Sequence, residues 1–177
     1  MTDFVLAAYT FGQFLNRAES PAIQSFFDIE PSVAAHLEAS PGFIARSGYD
    51  SDPGPETWGK QVFPRFWTDN GDGFAPSTLS LWQDMESLAA ATYHGPHGAA
   101  YKRGREWNIP AIDWPGYVIW WVPSSHKPNW AEAVERLEHL FDHGATPHAF
   151  TFKTAFDPDG IAAKLNSARV KSIAGKA

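Results

Sequence analysis

The sequence has no cysteine, and positive charge is the scarcer sign among its ionisable residues. Without cysteine there can be no disulfide, thiol nucleophile or thiolate metal site. A formal net charge of −6 disfavours nucleic acid and anionic membranes as partners. No apolar run approaches the ~20 residues that span a bilayer, and the first residues lack a signal-peptide pattern. We therefore expect a cytoplasmic protein that binds neither nucleic acid nor a membrane.

The common catalytic and nucleotide-binding motifs are also missing. We find no G-x-S-x-G, no H-E-x-x-H, no phosphate-binding loop and no dinucleotide fingerprint. The pair His94 and His97 has a spacing that could hold a metal on a helix, but Gly95 and Pro96 between them break helical geometry. No third ligand stands at a convincing position, so we predict neither a metal site nor a cofactor.

Aromatic residues, in contrast, are abundant. The chain of 177 residues is 44% hydrophobic and 19% charged, which suits one folded domain. Its eight Trp and 13 Phe exceed the needs of one small core. Large rings supply contact area at cavities and interfaces. We expect some of them to line a pocket for a hydrophobic or aromatic small molecule.

The order of elements predicts an α+β domain over residues 1–156. Apolar runs predict strands at Phe4–Phe11, Phe43–Tyr49, Thr78–Trp82 and Tyr117–Val122, with a short last strand at Thr151–Phe152. Helices are expected after the caps Ser20, Asp84 and Asn129, the first interrupted at Pro31. This order is the ferredoxin-like split βαββαβ plan, an antiparallel sheet with helices on one face.

Two segments fall outside this plan. Residues 50–76 carry strong turn signals and an aromatic group that includes Phe66 and Trp67. They predict either a hairpin extension on the sheet edge or a lid over a pocket. Residues 157–177, with Lys164, Arg169 and Lys176 among small residues, predict a flexible C-terminal tail.

Residues Tyr117–Val122 are apolar on both faces of the predicted strand. Alternate side chains point to opposite sides, so both faces of the sheet must be covered. If helices cover one face, a second copy of the chain is the simplest cover for the other. We therefore predict a homodimer. Ser80 and Trp82 share a face, and a hydroxyl beside an indole suits a cavity wall.

Four ordered stretches resemble a known family. They are SLWQDMESL at 80–88, the tyrosine, histidine and arginine pattern of 93–107, WWVP with its following helix at 120–137, and AFTF at 149–152. Together they resemble the domain-of-unknown-function family numbered 3291, which is related to antibiotic-biosynthesis monooxygenases. The resemblance covers residues 4–156 and implies a dimeric α+β barrel. The chain departs from the family pattern at Ser125 and in 50–76.

We rank the candidate site residues by chemistry. His97, at a predicted helix start, can move a proton near neutral pH. Arg105 can hold a carboxylate or enolate, although Arg103 and Arg105 can also pair with Glu106 or Glu86. His126 is the second histidine candidate. The predicted substrate-binding residues are Ser80, Trp82, Tyr93, Trp121, Trp67 and Phe66.

The function stays open between several classes. The first is a cofactor-independent monooxygenase that acts on an aromatic or polyketide-like substrate after proton abstraction by His97. The same abstraction could serve an isomerase, cyclase or dehydratase of a natural-product pathway. A third class is a haem-dependent enzyme, with His97 or His94 as axial ligand. A fourth is a non-catalytic protein that binds a hydrophobic metabolite.

Overall fold

A four-stranded antiparallel sheet in the order β2-β3-β1-β4 forms the centre of the computed structural model, which describes residues 3–50 and 52–175. The strands are β1 (Phe4–Phe11), β2 (Phe43–Arg46), β3 (Ser77–Trp82) and β4 (Tyr117–Pro123). This is the strand order that the split βαββαβ plan requires, so the predicted four-stranded antiparallel sheet is confirmed. β2 ends three residues earlier than predicted, and the chain then leaves the sheet at Ser47.

Helices and two short strands complete the described chain. They are α1 (Gln24–Ala39), α2 (Met85–Tyr93), α3 (Gly95–Arg103), a 3₁₀ turn (Gly104–Glu106), α4 (Trp130–His143), β5 (Ala155–Phe156), β6 (Ala162–Ala163) and α5 (Ser167–Ala174). Among the described residues, none of these helices combines the length and apolarity needed to cross a membrane.

The predicted caps are correct for two helices and wrong for the first. Asp84 accepts a hydrogen bond from Ser87 N at 2.8 Å, and Asn129 accepts one from Glu132 N at 2.9 Å. Ser20 instead belongs to a turn before α1, which begins after Ile23. Pro31 does not interrupt α1, because it lies on the exposed side and removes a single backbone donor.

The two faces of the sheet carry separate clusters of side chains. Leu6 of β1 stands opposite Trp82 and Trp121, whereas its neighbour Ala7 stands opposite Leu81 and Trp120. Leu88 of α2 covers the first set, which we call the α2 face. The second set, the α4 face, is covered by buried residues of α4: Trp130, Ala133, Val134, Leu137 and Leu140.

Helices therefore lie on both faces, and the prediction that they lie on one face is corrected. α4 follows the last strand of the βαββαβ plan, so it is free to cross to the opposite side of the sheet from α1 and α2. On the α2 face, Phe150 forms backbone hydrogen bonds with Ile119 at 2.9 and 3.0 Å and is fully buried. The sheet was expected to leave one face for a second subunit, but segments of this chain cover parts of both faces.

The 50–76 segment is neither a hairpin nor a lid over the α2 face. Within residues 50 and 52–76 the structure has turns and bends but no regular strand or helix. Trp58 is buried on the α4 face, and Phe63 and Phe66 pack against the same cluster of side chains. Arg65 fastens the segment to α4 through Glu138 and Asp142. The segment thus widens the cover that α4 provides.

The residues beyond 156 are ordered, in contrast to the predicted tail. β6 pairs with β5, and α5 packs against α2 with Val170 in contact with Ala89 and Ala90. Asn166 caps α5 by accepting a hydrogen bond from Arg169 N at 3.1 Å. The tail prediction failed because alanines and lysines gave no strong apolar stripe. Lys176 lies outside the described residues.

Candidate functional site

A row of hydroxyl groups lies at one end of the α2 face. The strand register places Thr10 opposite both Thr78 and Tyr117, and Ala8 opposite Ser80. Thr10 Oγ1 and Thr78 Oγ1 are 2.7 Å apart, and both residues are exposed. This end of the face is therefore open to solvent, whereas the other end is closed by the core. We call Thr10, Thr78, Ser80, Tyr93 and Tyr117 the hydroxyl face.

Two tyrosines close one side of this face. Tyr93 is the last residue of α2, and its ring centroid lies 5.9 Å from those of Tyr101 and Phe152. Tyr93 is 41% exposed, but the partial burial of its phenol raises its pKa above the ordinary value, and neighbouring Tyr117 and Tyr101 raise that pKa further. Burial also raises the pKa of Tyr117. Both phenols therefore stay protonated at neutral pH and can donate hydrogen bonds.

Ser80 and Tyr117 each accept a hydrogen bond from an N–H group of the protein. Ser80 Oγ accepts from Trp82 Nε1 at 2.9 Å, and the Tyr117 hydroxyl accepts from Phe152 N at 3.1 Å. A hydroxyl has one proton to donate as well as two acceptor lone pairs. Ser80 and Tyr117 each keep that proton for another group. The hydroxyl face can therefore donate to a carbonyl or phenolate oxygen of a ligand.

His97 stands beside the same end of α2. Its Nδ1 lies 2.8 Å from the carbonyl oxygen of Thr92, the residue before Tyr93. Because a carbonyl only accepts, Nδ1 carries the proton and Nε2 is the basic nitrogen of the neutral ring. Burial lowers the pKa of His97, and the nearby His36 lowers it further. The imidazole is therefore neutral at pH 7 and able to accept a proton.

A small cavity lies on the outer side of these helices. It is lined by His36, Ser40 and Pro41 of α1 and its end, His94 to Pro96, and Ala90, Ala91, Ile173 and Ala174. Its volume is about 130 Å³, below the ~300 Å³ at which ordinary ligand pockets begin. Within the described chain, Nε2 of His36 is buried without a hydrogen-bond partner. The cavity suits only a very small molecule.

The family described as Domain of unknown function (DUF3291) matches residues 5–166. The chain belongs to this family. The match confirms the resemblance seen in the four sequence stretches, and it extends beyond the predicted domain end at 156 and past β6. The family's description assigns no activity to its members.

No curated protein matches the chain at a significant level. One solved structure is similar, that of a variant of SnoaB, a cofactor-independent oxygenase from Streptomyces nogalater. The two chains are 12% identical, the alignment covers 71% of this chain and 96% of the SnoaB chain, and the TM-score is 0.37. The similarity is distant and does not identify what this DUF3291 protein does.

The structure brings some of the predicted site residues together on the α2 face. Ser80, Trp82 and Trp121 share that face, as strand parity predicted, and Tyr93 borders it from the end of α2, where its ring contacts Phe152. Trp82, however, is 1% exposed and packs edge-on against Phe43 at 5.3 Å. Trp121 donates its indole N–H to Phe156 O at 2.7 Å. The two indoles are therefore part of the packed core, and the open part of the face belongs to Ser80 and Tyr93.

Phe66 and Trp67 lie on the other side of the sheet. Phe66 packs against Phe11 at 5.8 Å and Phe141 of α4 at 5.3 Å. Trp67 packs against Phe63 at 4.4 Å. The sheet separates both residues from Ser80 and Tyr93, so they cannot line one pocket with them. Their expected place beside Ser80 and Tyr93 is corrected, whereas a role in substrate binding stays a prediction.

His126 and Arg105 also stand apart from the hydroxyl face. His126 follows the end of β4, whereas the hydroxyl face lies at the start of that strand, and its Nε2 is 2.7 Å from Glu132 Oε2. Arg105 is exposed on the 3₁₀ turn. The ion pair expected in this stretch forms at Arg103, which contacts Glu106 at 2.8 Å.

Sequence reasoning missed Thr10, Thr78, Tyr117 and His36 as members of the site. A signal was present for the first two, because each is a hydroxyl residue near one end of a predicted strand: Thr10 is near the C-terminal end of β1 and Thr78 is near the N-terminal end of β3. Only the antiparallel register, however, shows that these hydroxyls meet. His36 gave no signal, since its position beside Gly95 depends on how α1 packs against α3.

Proposed function

We propose that this DUF3291 protein is a small-molecule enzyme that removes a proton from an oxygenated aromatic substrate, with His97 as the base. The observation that carries the proposal is the bond between His97 Nδ1 and Thr92 O. It fixes one tautomer of a neutral ring and leaves Nε2 as the proton acceptor, which is how a second partner orients a catalytic imidazole.

The hydroxyl face supports the choice of substrate class. Removing a proton next to a carbonyl group places negative charge on the oxygen, and preorganised donors stabilise such an oxyanion. Ser80 and Tyr93 can supply these donors, since both hydroxyls are protonated at neutral pH. The rings of Tyr101 and Phe152 beside them offer flat apolar contacts to an aromatic substrate.

The first form of the reaction is a monooxygenation without a cofactor. Base-catalysed loss of a proton from an activated CH₂ group gives an enolate, which is electron-rich enough to add O₂ and form a peroxide. Loss of water from the protonated peroxide leaves a new carbonyl. One oxygen atom of O₂ ends in the product and the other in water, and the carbon supplies all four electrons. His97 would receive the first proton and return it to the peroxide.

The second form uses the same proton removal and no oxygen. An enolate that is reprotonated at another carbon is isomerised, and one that expels a leaving group is dehydrated. The geometry of His97 and the hydroxyl face supports these outcomes equally, so the experiment must measure proton removal and oxygen use separately.

Anthrone is a suitable probe, because its CH₂ group lies between two rings opposite a carbonyl. We expect the protein to catalyse exchange of these protons for deuterium in D₂O under argon, as followed by NMR. His97→Gln should lower this rate about 100-fold or more, within the usual contribution of general bases. His143→Gln, an exposed histidine on the other side of the sheet, should leave it unchanged.

Oxygen uptake then separates the two forms of the reaction. Exchange under argon together with enzyme-dependent O₂ consumption in air supports the monooxygenase. Exchange without O₂ consumption supports the isomerase, cyclase or dehydratase class. If anthrone quenches tryptophan fluorescence saturably in the parent protein and in His97→Ala alike, with no exchange in either, the protein is a non-catalytic binder and the enzyme proposal fails.

The haem hypothesis is tested more simply. His94 lines a cavity of about 130 Å³, which is smaller than ordinary ligand pockets, so the residues around it do not fit haem. Titration of the protein with hemin should give no Soret shift beyond that of free hemin. A saturable shift that is lost in His94→Ala or His97→Ala would restore the haem hypothesis.

A further inference from the structure

A second cluster of ionisable side chains lies on the outer surface of α4, away from the hydroxyl face. Glu135 and His139 are four residues apart, so they point the same way from the helix. His148, from the turn after α4, completes the group. The candidate ligand atoms of these three residues all lie within 4.8 Å of one another.

The turn that carries His148 is held by bonds to its own backbone and to α4. Thr146 and Ala149 exchange backbone hydrogen bonds at 3.0 and 3.1 Å. Arg136 of α4 donates to the carbonyl oxygen of His148 at 2.7 Å. As a result, the ring of His148 lies against that of His139, with 4.6 Å between centroids. The three side chains are brought together by backbone that is fixed without any ligand.

We propose that Glu135, His139 and His148 bind one Zn²⁺ ion. Two imidazoles and one carboxylate are a ligand set that zinc accepts, with a fourth position left for water or another ligand. Thr146 Oγ1, 3.1 Å from His139 Nε2, would orient that ring while the other nitrogen binds the ion. Glu138 and Asp142 line the same open groove, but both pair with Arg65, which lines it as well.

The contact between Arg136 and the ring of His148 competes with metal binding. Arg136 Nη1 lies 2.6 Å from Nδ1 of His148, while Nε2 of that ring faces Glu135 at 3.0 Å. For Nε2 of His148 to bind a metal, the ring proton must move from Nε2 to Nδ1. A protonated Nδ1 can no longer accept a hydrogen bond, so Nη1 of Arg136 must give up its contact with Nδ1. Zinc at Nε2 and the bond between Arg136 Nη1 and His148 Nδ1 are therefore mutually exclusive. The apo arrangement is a charge-assisted bond from His148 to Glu135, which the ion would replace.

The test is zinc binding to the untagged full chain, measured by calorimetry and by NMR of the histidine rings. We expect one Zn²⁺ per chain, with shifts confined to the ¹⁵N resonances of His139 and His148. His139→Ala and His148→Ala should each weaken binding about 100-fold, since even outer-shell partners of a metal contribute 10–100-fold. Zinc binding should place the ring proton of His148 on Nδ1, which the ¹⁵N resonances of that ring report.

His143→Ala is the matched control. His143 lies 4.5 Å from His139 between ring centroids, so it is as close as His148, but its ligand atoms fall outside the cluster. This variant should keep the zinc affinity of the parent chain. No saturable binding, or a loss in His143→Ala as large as that in His148→Ala, would overturn the proposal. His139 and His143 lie on α4 and His148 lies on the turn after it, and circular dichroism verifies that each variant is folded.

Discussion

Trp82 donates its indole N–H to the hydroxyl of Ser80, two residues before it on the same strand, at 2.9 Å. The indole is almost fully buried, so this hydroxyl is what satisfies its donor. Ser80→Ala should leave the indole N–H unpaired and destabilise the fold by about 1–3 kcal/mol. Denaturant unfolding measures this cost.

A double-mutant cycle shows whether the bond is the cause. Trp82→Phe removes the donor, and Ser80→Ala in that background should then cost much less than in the parent chain. Equal costs in both backgrounds would mean that Ser80 acts through something other than Trp82.

Gly48 lies where the chain leaves β2 and meets the returning 50–76 segment. A Cβ atom at this position would stand 1.7 Å from the carbonyl oxygen of Pro55, which is impossible without moving the backbone. Gly48→Ala should therefore destabilise the protein by more than about 2 kcal/mol, on the order of the larger core substitutions. Thermal unfolding provides the measurement.

Gly104 is the matched control for that substitution. It has helical backbone angles, and a Cβ atom there would meet nothing within 4 Å. Gly104→Ala should be neutral or stabilise the fold by up to ~1 kcal/mol. Similar losses of stability in both variants would show that the close approach of Pro55 O is not what excludes a side chain at position 48.

His97 should make the protein sensitive to acid. Burial, helped by His36, lowers its pKa in the folded state below the ordinary value of 6.5, so the unfolded chain binds a proton more readily. The stability that neutral His97 contributes is complete above about pH 6.5 and is lost as the pH falls below it. His97→Gln should lose less stability between pH 7 and pH 5 than the parent chain, as measured by urea unfolding. Parallel losses in both proteins would contradict this assignment.

The packing of α5 on α2 can be tested with adjacent residues. Val170 is 8% exposed and contacts Ala89 and Ala90, whereas Lys171 is exposed. Val170→Asp should reduce stability by at least about 2 kcal/mol, because it places a charge without a partner among apolar groups. Lys171→Asp should change stability by less than about 0.5 kcal/mol. If the two variants unfold alike, the segment beyond 156 does not pack as described.

The homodimer stays a prediction, but an uncovered sheet face is no longer the reason to expect it. α4 and residues 50–76 cover one face of the sheet, and α2 and Phe150 cover the other, so neither face requires a partner. A dimer would have to use another surface. Sedimentation equilibrium at increasing concentration decides this, and a mass that stays at 19.6 kDa throughout would contradict the prediction.

The sheet could be predicted from sequence because its signals are local. Phe4–Phe11 and Tyr117–Val122 are long apolar runs, and the caps Asp84 and Asn129 stand directly before amphipathic residues. The side of the sheet on which α4 packs could not be predicted, since its apolar stripe fits either face. Phe66 and Trp67 were misplaced for the same reason: an aromatic side chain in a long connection indicates burial but not where it is buried.

The candidate site was only partly predictable. His97 could be singled out by its chemistry and its place after Gly95 and Pro96, and Ser80 by strand parity. Thr10 and Tyr117 lie on the same face as Ser80 only because strands that are distant in the sequence pair in the sheet. The zinc cluster was hidden in a similar way, because Glu135 and His139 have visible helical spacing while His148 joins them through a turn.

The central place of β1 has a consequence for how the protein is made. Its neighbours in the sheet, β3 and β4, are synthesised about 70 and 110 residues after it. Until then, Phe4–Phe11 leaves the ribosome as an exposed apolar segment with no strand to pair with. Such delayed pairing slows folding and favours aggregation, so we expect the nascent chain to aggregate less when its first strand is kept from other chains until β3 and β4 are made.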